Sequence, residues 1–156
     1  MTIRELLATD APRAAILVRL MVGAVFLSEG IQKFLYPEDL GPGRFARIGF
    51  SNPEFWAAFV GGVEIVGGAL ILVGLLTRVA GVMLAFNMLV AVLTTKIPIL
   101  IGRDVGPFQV RSLDQYGFWS MAHETRTDWS MLLGCVFLLI VGAGAWSLDA
   151  WLTRRR

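Results

Sequence analysis

The sequence predicts an all-α integral membrane protein, a four-helix bundle with a long ordered loop between the third and fourth helices. Two observations favour this fold class. Hydrophobic residues make up 56% of the 156 residues, and charged residues only 17%. Soluble domains carry about 45–50% apolar and about 25% charged residues, so this composition indicates a chain in lipid. Apolar stretches near the length of a membrane span, about 20 residues, recur four times, and we assign them to a single domain of residues 1–156.

The first two spans are predicted at about 14–35 and 54–76. Pro37 is expected to end the first span, because a helix loses a hydrogen bond at proline. A connection rich in glycine and proline follows, and its aromatic residues favour packing on the bundle surface. Asn52, Pro53 and Glu54 then suit the N-cap and the first turn of the second helix.

The third span is predicted at about 79–97, and the short link 77–78 before it requires an antiparallel return. Pro98 is expected to end this helix. The connection that follows, about 30 residues long, is far longer than usual and contains aromatic residues, so we expect an ordered loop. The fourth span is predicted at about 129–150 and precedes the terminal arginines Arg154, Arg155 and Arg156.

Four spans place both termini on the same side of the membrane. Basic residues near the termini and at the short link, among them Arg4, Arg13 and Arg78, favour the cytoplasmic side. We therefore expect a protein of the bacterial cytoplasmic membrane with cytoplasmic termini and an outward-facing long loop. The net charge of +2 and the scattered arginines give no indication of nucleic-acid binding. The first apolar run is too long for a cleaved signal, so we expect the chain to retain it.

A single cysteine, Cys135, and a single histidine, His123, restrict the chemistry. One chain cannot form an internal disulfide, a CxxC exchange site, a zinc site of histidine and cysteine, or a bis-histidine haem site. We expect no metal and no covalently bound cofactor, so a redox role requires a dissociable carrier such as a quinone, or a partner protein. Cys135 is interpreted as a packing residue, because lipid surroundings disfavour the reactive thiolate.

Several polar residues lie inside the predicted spans. An ionisable side chain at the bilayer centre costs about 2.5–3.5 kcal/mol, so it turns towards a partner or a cavity and is a candidate functional group. Glu29 and Lys33 are one helical turn apart, and Arg19 lies on a similar face of the same helix. Glu64 and Asn87 lie near the middle of the second and third spans. We predict that these five residues line a polar interior.

A second polar group, His123, Arg126 and Asp128, precedes the fourth span. Histidine titrates near neutral pH and can move protons at the membrane surface. Structural interpretations stay open for both groups. Asp128 equally suits the first turn of the fourth helix, and the ionisable residues of the spans could serve only to fix helix packing.

Four stretches of the chain are similar to a known family: RLMVGAVFLSEGIQKF, FVGGVEIVGGALILVGLLTR, SMAHETRTDWSMLLG and GAGAWSLD. They resemble the DoxX family of small four-helix membrane proteins, which includes relatives of the DoxD subunit of thiosulfate:quinone oxidoreductase. Its most specific features are Glu29, Glu64 and the link Thr77–Arg78. The resemblance implies a four-helix membrane bundle and a role as a membrane partner in sulfur or redox chemistry with quinone. This chain lacks the paired cysteines that direct thiol chemistry needs.

The sequence leaves three functions open, and it does not decide whether the protein is an enzyme. In the first hypothesis, the protein is a redox-associated subunit that binds a quinone-like or other lipophilic carrier, and Glu64 and Asn87 contact a carbonyl of that carrier at mid-depth in the membrane. In the second, it is a non-catalytic scaffold or assembly subunit of a larger membrane complex. A transporter of a small anion or lipid is a third, which would need several copies. The expected partners are the bilayer, a quinone or lipid ligand, and other membrane subunits or further copies of the chain.

Overall fold

The computed structural model describes residue 7, residue 9 and residues 11–154. Of the basic residues used to predict the topology, Arg4, Arg155 and Arg156 lie outside this part of the chain. The regular secondary structure of the described residues is helical. In chain order the helices are α1 (Ala15–Leu35), α2 (Pro42–Ile48), α3 (Pro53–Val73), α4 (Thr77–Ala91), a π-helical turn (Val92–Lys96), α5 (Ile97–Ile101), α6 (Phe118–Val141) and α7 (Leu148–Arg154).

Three helical segments of the described residues are long and apolar enough to cross a membrane. They are Ala15–Leu35, Pro53–Val73 and the continuous segment Thr77–Ile101. Helix α6 is 24 residues long, but its N-terminal half carries charged residues and only its C-terminal half is uniformly apolar. The all-helical membrane class is therefore confirmed, while the architecture is more segmented than four simple helices.

The four long helices share one apolar core. Val22 and Phe26 of α1, Ile71 of α3, Leu84 of α4 and Leu138 of α6 are almost completely buried in it. Large apolar side chains also cover the outer surface of these helices. An outer surface of this kind suits a chain whose surroundings are lipid.

Helices α1 and α3 approach each other closely because glycines face each other across their contact. A Cβ atom added at Gly68 would lie 2.7 Å from the backbone nitrogen of Leu27 and 2.9 Å from the carbonyl oxygen of Gly23. A Cβ atom at Gly30 would lie 2.7 Å from the carbonyl oxygen of Gly61. Small residues allow such backbone approach between membrane helices, where packing replaces the hydrophobic driving force.

The prediction that Pro98 ends the third span is wrong, because the helix passes through it to Ile101. Proline lacks an N–H group, and its ring would collide with the carbonyl four residues earlier in a regular α-helix. The π-helical turn before Pro98 widens the backbone, and Ile97 N–H bonds to the carbonyl oxygen of Val92. Hydroxyl groups satisfy carbonyls of this distorted stretch; Thr94, for example, donates to one at 2.8 Å.

The irregular connection between the third and fourth long helices is shorter than predicted and covers only residues 102–117. Helix α6 begins at Phe118, so His123, Arg126 and Asp128 are helical instead of belonging to a loop. The predicted fourth span also contains a break. Helix α6 ends before Gly142, whose φ of 82° favours glycine, and α7 begins only at Leu148.

The two long connections pack on each other at the end of the molecule where α1 ends and α3 begins. Gln109 N–H donates to the carbonyl oxygen of Ile48 at 2.8 Å. The rings of Phe50 and Phe108 lie 5.4 Å apart. We call residues 36–52 and 102–117 together the cap.

The glycine contact between α1 and α3 gives a direct test of the packing. We expect Gly68→Ala to destabilise the protein by roughly 1–3 kcal/mol, because the new methyl group meets backbone atoms that cannot move aside. Gly62→Ala is the matched control, since no atom lies within 4 Å of a Cβ at that position. Thermal unfolding in detergent should separate the two variants, and equal melting temperatures would contradict the close packing.

Candidate functional site

Lys33 of α1 and Glu64 of α3 form an ion pair in the interior. Lys33 Nζ lies 2.5 Å from Glu64 Oε2, and the two side chains are only 9% and 4% exposed. Asn87 of α4 donates from Nδ2 to the other oxygen, Glu64 Oε1, at 3.0 Å. Three long helices thus meet at one carboxylate near the middle of α3, and we call these three residues the polar cluster.

Glu29 lies beside the polar cluster. Its Oε2 atom is 4.0 Å from Lys33 Nζ, and its carbonyl oxygen accepts a hydrogen bond from the same nitrogen at 3.4 Å. The expected i, i+4 pair is therefore present, but Glu64 is the closer partner of Lys33. The Glu29 side chain is nearly half exposed, which leaves its carboxylate free to face the cavity beside the cluster.

A cavity of about 730 Å³ extends from the polar cluster to the cap. Aromatic and methionine side chains form much of its wall, among them Phe26, Phe45, Phe50, Trp56, Met88 and Met131. Its polar lining includes Glu29, Lys33, Glu64, Asn87, Lys96 and Asp128. A mostly apolar wall with a few converging polar groups is the usual composition of a small-molecule site.

Two exposed aromatic residues belong to the wall of the cavity. Phe59 of α3 and Phe86 of α4 line it, and they are 54% and 67% exposed. Helix α3 and the segment containing α4 are both apolar enough to cross a membrane, so this part of the cavity wall suits contact with lipid chains.

A second buried ion pair lies nearer the cap. Lys96 Nζ is 3.3 Å from Asp128 Oδ2, and the Lys96 side chain is only 10% exposed. The π-helical turn sets the direction of Lys96, because an extra residue in a turn rotates every following side chain about the helix axis. Of the predicted second polar group, Asp128 lines the cavity, whereas His123 and Arg126 are exposed and line neither cavity that we describe. Arg126 donates instead to the carbonyl oxygen of His123.

Arg19 lies at the other end of α1, about 21 Å along the helix axis from Lys33 at 1.5 Å per residue. The structure therefore does not bring it to the polar cluster. Its buried guanidinium donates to four carbonyl oxygens, those of Ile71, Leu72, Ala143 and Trp146, at 2.5–3.3 Å. It thus provides hydrogen-bond donors for backbone carbonyl oxygens in the last turn of α3 and in the break after α6, which would otherwise lack partners.

Two buried ionisable residues were missed in the sequence. Asp149 accepts hydrogen bonds from the backbone nitrogens of Leu76 and Thr77 at 2.8 and 3.0 Å and so caps the start of α4. Lys96 is the other missed residue. Asp149 and Lys96 lie inside the predicted spans 129–150 and 79–97, so the criterion that selected Glu64, an ionisable residue within a span, applies equally to them. Because both lie near the ends of these spans, they resemble ordinary charged residues of the membrane interface.

The fold and this site define a helical membrane protein with a polar cluster in an apolar interior. The chain belongs to the DoxX family, whose sequence profile matches residues 14–97. It is 54% identical over 151 residues to uncharacterized membrane protein Rv3486 of Mycobacterium tuberculosis, covering 97% of this chain and 88% of the relative. It is 34% identical over 82 residues to a Bacillus subtilis protein with the provisional name oxidoreductase CatD, covering 53% of this chain and 59% of that protein. No solved structure matches the chain significantly.

The Lys33–Glu64 pair should show strong coupling in unfolding experiments. We expect Lys33→Met to cost roughly 3–5 kcal/mol, because it leaves a buried carboxylate without its counter-ion. The double variant Lys33→Met with Glu64→Gln should recover most of this loss, since neither charge then remains. Unfolding by SDS titration in mixed micelles near neutral pH measures both free energies. A double variant no more stable than Lys33→Met would contradict the pairing.

Arg19 should behave as a structural residue. Arg19→Lys is expected to lower the melting temperature by several degrees, since one ammonium group cannot reach four carbonyl oxygens that a planar guanidinium fork spans. The same variant should leave any ligand affinity at the polar cluster unchanged within two-fold, because about 21 Å separates the sites. Ligand titrations of the folded variant check the second part, and a large loss of affinity would place Arg19 within the site.

Proposed function

We propose that the protein is a four-span membrane subunit associated with redox chemistry, which binds a quinone-like carrier in the cavity between α1, α3, α4 and α6. The observation that carries the proposal is the polar cluster of Lys33, Glu64 and Asn87 in a mostly apolar cavity. We propose that the carrier enters from lipid between α3 and α4, where the exposed rings of Phe59 and Phe86 line the cavity. The volume of about 730 Å³ falls within the range of about 300–1,000 Å³ that is usual for ligand sites.

The cluster offers hydrogen-bonding groups that suit both states of such a carrier. A quinone carbonyl accepts hydrogen bonds, and the hydroxyl formed on reduction also donates one. Lys33 and Asn87 are donors, while the Glu64 carboxylate is an acceptor. In the folded protein Lys33 Nζ bonds to Glu64 and to the carbonyl oxygen of Glu29, so one of its three N–H groups is left for a ligand. These groups distinguish a quinone head from a hydrocarbon chain.

Reduction of a quinone takes up two electrons and two protons. Lys33 holds the proton of the ion pair and would donate it to a ring oxygen. Glu29 and Glu64 would relay its replacement and the second proton from the side of the cap. We propose that the electrons come from another membrane subunit, because the single thiol, Cys135, is buried in the core away from the cavity. The similarity to a protein named as an oxidoreductase supports a redox association.

We also propose that the cap faces the outside of the cytoplasmic membrane. Arg13, Arg78 and Arg154 belong to the opposite end of the helices. Both ends carry basic residues, and we give more weight to those near the termini and the short link than to those of the longer connections. Both termini would then be cytoplasmic. Helix α6 is proposed as the fourth span, with its charged first half near the outer interface.

Binding of a short-chain quinone to the purified protein tests the proposal. We expect the quinone to raise the melting temperature in detergent and an azido-quinone analogue to label peptides that contain Phe59, Met83 or Phe86. Asn87→Leu should weaken binding about 3–10-fold, the effect of losing one hydrogen bond of roughly 0.5–1.5 kcal/mol. Gln32→Leu is the matched control, because the side-chain amide of Gln32 on α1 bonds to Ser28 alone among the described residues and does not line the cavity.

Two results would overturn the carrier proposal. One is a quinone that neither stabilises nor labels the folded protein, and the other is equal weakening by the Asn87 and Gln32 substitutions. In either case the scaffold alternative gains support if native membranes yield a stoichiometric complex that persists in Glu64→Gln.

A further inference from the structure

A second cavity of about 630 Å³ lies under the cap and shares part of its wall with the first. We call it the vestibule. Its lining contains four basic residues and two acidic ones, Arg44, Arg47, Lys96, Arg111, Asp39 and Glu124. Asp128 of the first cavity balances Lys96, so with each side chain in its usual ionised form one positive charge remains in excess. The polar cluster with Glu29 beside it has the opposite excess, since two carboxylates there face one ammonium group.

The basic side chains converge from three separate segments. Arg44 belongs to α2, Lys96 to the π-helical turn and Arg111 to the connection 102–117. Arg44, Lys96 and Arg111 also line the first cavity, so they lie where the two cavities meet. A set of cations on one solvated helix face would not converge from three segments in this way.

These cations retain donors that no described residue uses. The side chain of Arg44 forms no hydrogen bond or ion pair with any described residue, which leaves the five N–H groups of its guanidinium available. The Lys96 ammonium group is buried, yet its one ion pair, to Asp128 at 3.3 Å, occupies only part of its three-donor capacity. Arg111 contacts Glu124 through a single nitrogen, Nη1. A buried ammonium group with unused donors is costly unless an acceptor completes it.

We propose that the vestibule binds an oxyanionic group, a carboxylate or a phosphate, between Lys96, Arg44 and Arg111. Guanidinium groups pair with such anions through two parallel hydrogen bonds, and the ammonium group contributes a point charge. This site is distinct from the polar cluster, to which none of the three residues belongs, although all three also line the first cavity. The anion comes either from the aqueous side as a small solute or from the bilayer as the phosphate of an anionic lipid.

The test uses the full-length protein in a neutral detergent, with inorganic phosphate and phosphatidylglycerol as the two probes. Chloride at matched ionic strength and phosphatidylcholine are their controls. We expect at least one probe to raise the melting temperature by several degrees over its control. Native mass spectrometry of the lipid samples should then show one retained phosphatidylglycerol if the lipid is the source, and none if the soluble anion is.

Arg44→Gln and Arg111→Gln should each weaken the stabilising probe about ten-fold, as the loss of one charge-assisted contact would. Arg44 is exposed and unpaired among the described residues, so this variant is expected to fold normally. Arg103→Gln is the matched control, because Arg103 is an exposed arginine of the same connection that lines neither cavity. The proposal is overturned if neither probe exceeds its control, or if the Arg103 variant loses as much affinity as the other two. Loss of quinone binding alone would leave it standing.

Discussion

The ion pair between Lys33 and Glu64 is the interaction on which the interior depends. An unpaired charge has a high free energy in the hydrocarbon core of the bilayer, so each of these two side chains needs a partner inside the protein. The glycines at the contact of α1 and α3 allow the two backbones close enough for a separation of 2.5 Å between Nζ and Oε2. Asn87 then ties α4 to the same carboxylate. One carboxylate therefore fixes the relative positions of three helices and places polar groups in an apolar space.

The two ends of the molecule handle their buried charges differently. At one end Arg19 bonds four backbone carbonyls and Asp149 bonds two backbone nitrogens, so the protein itself satisfies both side chains. At the cap end Lys96 and Arg111 each have one ionic partner. Arg44 has none among the described residues. The first end is a structural junction. The second has side-chain donors that the described residues leave unused, as the proposed anion site requires.

The sequence predicted the helical membrane class because apolar length and low charge depend on composition alone. It also predicted that Glu29 and Lys33 share a face, since that follows from helical periodicity. It did not predict that Glu64 is the nearer partner of Lys33, because pairing between helices depends on their axial shift, which the glycine contacts set. Periodicity likewise placed Arg19 on the correct face, but depth along the axis separates it from the cluster.

The errors at the third and fourth helices have separate physical causes. A proline is expected to end a helix when only backbone N–H groups of that helix can bond to its carbonyl oxygens, because proline has no N–H group. Here a π-helical turn and threonine hydroxyls supply the missing partners, so the helix continues past Pro98. The charges of HETRTD suggested a loop before a span. They form instead the first half of α6, whose exposed face tolerates charge and whose inner face directs Asp128 to Lys96.

Together, the two proposed sites would sort ligands by their head groups. A molecule in the joined cavities meets the polar cluster, which contains Glu64 and has Glu29 nearby, and the vestibule with its excess of positive charge. Lys33 balances one of the two carboxylates, so a net negative charge remains at the cluster and repels an anionic head group. A neutral carbonyl has no such penalty and gains donors from Lys33 and Asn87. On these two proposals, neutral carriers bind at mid-depth and anionic groups bind under the cap, because electrostatics separates them.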